Sequence, residues 1–99
     1  MKALQIERNT WRIQCPLTYP YIGGLEKQSS KARPTQQIWE IDLGAVDDID
    51  SAGLAWLLEN IRYASHNDIV LKIKGLHCER AQALAEVQGI KAILSPYLS

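Results

Sequence analysis

Four short stretches of this chain alternate apolar and polar residues with a period of two, and that pattern limits the folds open to it. Leu4 and Ile6 alternate with Gln5 and Glu7; Trp11, Ile13 and Cys15 with Arg12 and Gln14; Trp39, Ile41 and Leu43 with Glu40 and Asp42; Ile69, Leu71 and Ile73 with Lys72 and Lys74. Successive side chains of a strand point to opposite faces, so each stretch reads as a strand with one buried and one wet face. A sheet covered on both sides would show continuous apolar runs. Here the polar face carries charges of both signs, so the helices are expected mostly on one side. Helical stretches are predicted at about 20–32, 52–66 and 77–88, giving strand, strand, helix, strand, helix, strand, helix and a tail without a clear pattern. Arg8-Asn9-Thr10 reads as a turn. Pro20 suits a helix start, with Thr18 or Tyr19 as its cap, and Pro34-Thr35 stops the chain before the third strand. Gly23-Gly24 interrupts the first helix, which is therefore expected to be short or mobile.

The run Ile41-Asp42-Leu43-Gly44-Ala45-Val46-Asp47-Asp48-Ile49-Asp50-Ser51-Ala52-Gly53-Leu54 reads as a buried strand, an acidic turn and a helix beginning at Asp50 or Ser51. The first N–H groups of a helix lack internal acceptors and carry partial positive charge, so either residue is a natural N-cap. Gly53 costs about 1 kcal/mol relative to Ala inside a helix, yet in the first turn it lets another backbone come close. Hydrophobic-Asp-Leu followed by Val-x-x-Ile-Asp-Ser-x-Gly-Leu resembles the signature of the STAS domain, shared by anti-sigma-factor antagonists and certain transporter subunits. Pro16-Leu17-Thr18 is similar to the Gly-x-Leu-Thr of one branch, the small cytoplasmic STAS subunit of the bacterial lipid-asymmetry (Mla) ABC transporter, with Cys15 standing where that branch often has Gly. The resemblance implies an α/β fold, a STAS-like mixed β-sheet with helices packed mainly on one face, as a single domain over residues 1–99.

It also implies partners. In the transporter branch the residue at the Ser51 position lies at the contact with the ABC ATPase, and through the ATPase the subunit meets the membrane permease indirectly. In anti-sigma-factor antagonists the residue after the motif Asp is phosphorylated, which would make Ser51 a phosphorylation site for a partner serine kinase, itself an anti-sigma factor. A phosphate there would be favoured by the helix dipole but would face Asp47, Asp48 and Asp50. As a bare cap, Ser51 would contribute about 1 kcal/mol and do nothing else.

At 3.6 residues per turn, Leu54, Leu57, Leu58 and Ile61 form the stripe of the 52–66 helix expected to face the sheet. Trp56 and Tyr63 fall on the opposite side, close to Ala52, flanked by Glu59 and Asn60. One reading is that an aromatic lies flat over a neighbouring loop or helix. The other, favoured because the stripe shares a helix with the motif, is a docking surface. The partner-binding set expected from sequence is thus Asp50, Ser51, Ala52, Gly53, Trp56 and Tyr63.

Composition narrows the function further. Positive and negative side chains balance at 11 each, so no overall basic field would draw nucleic acid or an anionic membrane surface. Glu40, Asp42, Asp47, Asp48 and Asp50 predict a local acidic edge suited to a basic partner. No stretch approaches the roughly 18 apolar residues of a membrane helix, and Met1-Lys2-Ala3-Leu4 leads into a strand pattern, so a cytoplasmic protein, peripheral to the inner membrane through its partner and without direct insertion, is expected. Cys15 and Cys78 lack a CxxC spacing and read as reduced thiols. His66 and His77 with no suitably spaced carboxylate give no zinc triad; Ser51 has no partner base, and Gly23-Gly24 precedes no phosphate loop. The expectation is a non-enzyme with no cofactor and no metal.

Overall fold

A computed structural model describes residues 3–35 and 37–99; the Met1-Lys2 lead-in lies outside the described residues. The elements follow the order read from the sequence: β1 (Leu4–Glu7), β2 (Thr10–Ile13), α1 (Tyr19–Ser30), β3 (Ile38–Asp42), α2 (Ser51–His66), β4 (Val70–Lys74), α3 (Glu79–Val87) and α4 (Lys91–Leu94), with a closing 3₁₀ turn over Ser95–Tyr97. The strands lie in the sheet order β1-β2-β3-β4. The β1–β2 hairpin is antiparallel, while β2–β3 and β3–β4 are parallel, as the helical connections after β2 and β3 require. The sheet is therefore mixed. The tail adds Leu98 beside Ile73, with Ser99 N donating to Ile73 O at 3.0 Å.

The register places Leu4, Trp11, Ile13, Trp39, Ile41, Leu71 and Ile73 on one face, all buried. The opposite face carries Glu7, Arg12, Glu40, Asp42, Lys72 and Lys74, with Arg12 against Glu7 at 3.3 Å and Asp42 at 3.8 Å, and Lys74 against Glu40 at 3.4 Å. Exposed pairs of this kind contribute little each; register is set instead by the alternation, since a one-residue slip would turn the buried apolar set to the wet face. Helix α1 meets the sheet at β1 and α2 meets it at β4, with α3 packed on α2.

Helix α1 is continuous through Gly23-Gly24, so the expected interruption is absent. A Cβ at either glycine would meet nothing within 4 Å, and burial of Leu25 and Ser29 on its inner face holds the helix down in spite of the weak propensity.

The expectation that Trp56 and Tyr63 point away from the core is corrected. Trp56 is 3% exposed and belongs to the core. Tyr63 is half-buried, its hydroxyl donating to Pro34 O at 2.9 Å and its ring meeting Trp39 edge-on at 6.1 Å. Asn60, expected to flank them outside, is fully buried; its Nδ2 donates to Trp56 O at 2.9 Å and Arg33 Nε donates to its Oδ1 at 3.4 Å. The reason is that α2 packs on α1 and α3 as well as on the sheet, so its buried arc is far wider than a single sheet-facing stripe. Its outward line is Ser51, Ala55, Glu59 and Arg62.

Trp56→Ala is accordingly expected to destabilise the fold by about 3–5 kcal/mol through the cavity it leaves. A urea denaturation midpoint unchanged from wild type would contradict this burial.

Candidate functional site

The site is assembled where the chain leaves β3. Leu43 N donates to Lys74 O at 2.8 Å, Gly44 N to Asp42 Oδ1 at 2.9 Å, and Val46 N back to Leu43 O at 2.9 Å. Val46 and Ile49 are buried, anchoring the acidic turn from both sides, and Asp47 and Asp48 are left outside. Ile49 pairs in parallel with Leu17: Leu17 N donates to Asp48 O at 3.0 Å, and Asp50 N donates to Leu17 O at 3.1 Å. The Pro16-Leu17-Thr18 segment and the motif are thus two sides of one structure.

Gly53 lets them meet. A Cβ at this position would overlap the Leu17 carbonyl oxygen and lie 2.8 Å from Leu17 Cβ. The glycine is buried and serves an internal backbone contact, so of the sequence-derived set Gly53, like Trp56, is not open to a partner in this structure.

Asp50 is the N-cap of α2, settling the alternative left by the sequence, and Ser51 is the first helical residue. Asp50 Oδ1 accepts from Gly53 N at 3.0 Å, while Oδ2 accepts from Tyr19 N at 2.9 Å. Tyr19 opens α1, whose own capping position, Thr18, makes no side-chain cap bond. One carboxylate therefore closes the N-termini of two helices. Partial burial pushes the Asp50 carboxyl upward, but the backbone N–H groups of Tyr19, Gly53 and Ala52 and the Arg80 charge outweigh it and hold the group below the usual Asp value. Ala52 is half-buried.

With capping done by Asp50, the Ser51 hydroxyl is exposed and turned to α3, where Gln88 Nε2 donates to Ser51 Oγ at 2.8 Å. Arg80 of α3 pairs with Asp48 at 2.9 Å. His77 Nε2 lies 3.2 Å from Gly44 O and 3.8 Å from Asp47. The entrance is flanked by two highly exposed apolar side chains, Tyr19 at 80% and Val87 at 84%. None of Tyr19, Arg80, Val87 and Gln88 stands out as a site residue in the sequence. The available signal for Val87 is that it falls off the Ala81, Leu84, Ala85 stripe by which α3 packs.

Among the described residues no cluster of three His, Cys, Asp or Glu could hold a metal ion, and no helix is long and apolar enough to cross a membrane. Cys15 and Cys78 are buried free thiols; burial pushes the Cys15 thiol up, away from thiolate reactivity.

No protein-family model and no curated protein sequence matches the chain. Among solved structures, a sulfate transporter family protein from Wolinella succinogenes superposes with a TM-score of 0.70 at 16% identity, over 91% of this chain and 74% of that one. The fold is STAS-like. In it the motif run occupies the β3–α2 junction, with the serine at the mouth of α2.

Gly53→Ala is expected to cost about 3 kcal/mol, since backbone and Cβ atoms must part to admit the methyl group; a thermal midpoint equal to wild type would rule out the close approach. Asp50→Ala is expected to remove about 1 kcal/mol for each helix it caps. Because the folded carboxyl titrates below its unfolded value of about 3.9, its contribution is present above that pH and is lost as the pH falls through the folded value. The variant should therefore be less stable at neutral pH and lose stability less steeply on acidification, which urea denaturation from pH 7 to pH 3 would measure.

Proposed function

We propose that this chain is a non-catalytic accessory STAS subunit. It docks through the Ser51 entrance on the cytoplasmic ATPase of a phospholipid-transporting ABC complex that maintains outer-membrane lipid asymmetry, and stabilises the active arrangement of that ATPase. The observation that carries this reading is the Ser51 hydroxyl: it is exposed at the start of α2 with the capping duty taken over by Asp50, which frees it for contact with another molecule. Support comes from the Leu17-Thr18 segment, held against the motif through Leu17, Asp48 and Asp50, and from the exposed Tyr19 beside it. Ser51 and Ala52 would touch the partner; Asp50, Gly53, Trp56 and Tyr63 would act by holding the entrance in place. The protein would reach the inner membrane through this partner from the cytoplasmic side.

The exposed hydroxyl also suits a second reading, an anti-sigma-factor antagonist whose Ser51 is phosphorylated by a partner kinase. The charge of a phosphate would meet Asp47, Asp48 and Asp50 and repel a docked surface.

Affinity purification of the tagged protein from its own cells in mild detergent separates the two. Recovery of an ABC ATPase with its permease by wild type, and a loss of about ten-fold or more with Ser51→Glu, is the expected result. A soluble kinase together with phosphoserine at position 51 would replace the transporter reading by the switch. Equal recovery of the ATPase by wild type and Ser51→Glu would sink the proposed surface.

A further inference from the structure

Among the described residues Val87, in the last turn of α3, is the most exposed large apolar side chain, followed by Tyr19. A lone exposed apolar residue is ordinary. These two are fastened to one point: Tyr19 through its N–H on Asp50, Val87 through its neighbour Gln88, whose amide donates to Ser51. Tyr19, Ser51 and Val87 thus come from three helices and are held in a fixed relation by hydrogen bonds, with Ala55 exposed one turn beyond Ser51.

The charge around this surface is one-sided. Asp47, Asp48, Asp50, Glu79 and Glu86 lie in these segments, where among the described residues the permanent cations in ion pairs are Arg80, on Asp48 at 2.9 Å, and Lys91, on Glu86 at 2.8 Å. Asp47 has His77 at 3.8 Å. Gln88 also sets the polarity of the serine. Its N–H takes one of the two acceptor positions on the Ser51 oxygen, and the hydroxyl hydrogen can be given to an acceptor on the partner. Among these carboxylates an anionic acceptor would be repelled, so a backbone carbonyl fits.

We infer that the docking surface of this chain extends from Ser51 across α3, with Val87 as its apolar anchor and Gln88 as the residue that positions the Ser51 hydroxyl, and that its occupant is a basic protein surface offering a backbone carbonyl to Ser51 and an apolar recess to Val87. This rests on the reading above, in which that surface belongs to the ABC ATPase. Basic residues around the recess would speed association and make it salt-sensitive, while burial of Val87 would set the dissociation rate.

The test is calorimetric titration of the full chain with the purified ATPase subunit from the same cells, at two ionic strengths. Val87→Asp and Gln88→Ala alter exposed side chains, so both variants should keep the wild-type thermal midpoint. Each is expected to weaken binding about ten-fold or more, and raising the salt should weaken wild-type binding. Val70→Asp, on the uncovered face of the sheet, should bind as wild type. Wild-type affinity in both Val87→Asp and Gln88→Ala, alongside impaired Ser51→Glu, would overturn the α3 surface and leave the Ser51 reading standing. Equal loss in Val70→Asp, or binding insensitive to salt, would also overturn it. No binding by wild type would remove both.

Discussion

The Asp50 carboxylate ties together the end of the molecule at which the motif lies. Its two oxygens take N–H groups from the starts of α1 and α2, placing a negative charge where two helix dipoles present their positive ends. That contact requires the Leu17 segment to lie against the first turn of α2, which in turn requires Gly53 to have no side chain. Loss of any one of these three features would separate the two helix entrances. The motif read from the sequence as a place to meet a partner is therefore first a device for joining the chain to itself, and the exposed Ser51 is what remains after that joining is complete.

Behind this end, the aromatic residues hold α2 in position. Trp11 and Trp39 meet edge to face at 4.8 Å, Trp39 meets Tyr63, and Arg33 lies 5.5 Å over the Tyr63 ring while pairing with Glu26 of α1 at 2.9 Å. The sheet, α2 and the exit of α1 are linked in this way through side chains that combine apolar area with a polar handle. Trp56, set into the same core from α2, adds to the immobility of the helix. A serine on a helix anchored so broadly stands on a rigid support, and rigid presentation lowers the ordering cost of binding.

The similarity to a sulfate transporter family protein concerns the fold, and one fold hosts many functions. What bears on this chain is its own surface: a sheet face carrying paired charges beside the exposed Ile38 and Val70, and an end where Ser51, Tyr19 and Val87 stand exposed among acidic side chains. The first is well suited to water. The second brings hydroxyl, aromatic and aliphatic groups together on one surface, the mixture on which the proposed docking rests.

Strand positions, the single wet face and the order of elements were legible because period-two alternation is a local property of the chain. So was the possibility that Gly53 admits another backbone, since only its first-turn position and missing side chain enter that argument. The orientation of Trp56, Asn60 and Tyr63 was not legible: helical periodicity locates one sheet-facing stripe, but how much of the remaining circumference is covered depends on α1 and α3, which pack on α2 from elsewhere in the sequence. Nor could the sequence choose between Asp50 and Ser51 as the cap, because the choice depends on a second helix start, Tyr19, 31 residues away. Sequence by itself determined the layered α/β fold and the placing of a serine at a helix entrance. Tertiary structure alone decided which residue caps, which aromatics are buried, and that Val87 and Gln88 share the surface of Ser51, because each depends on contacts between segments that no local pattern records.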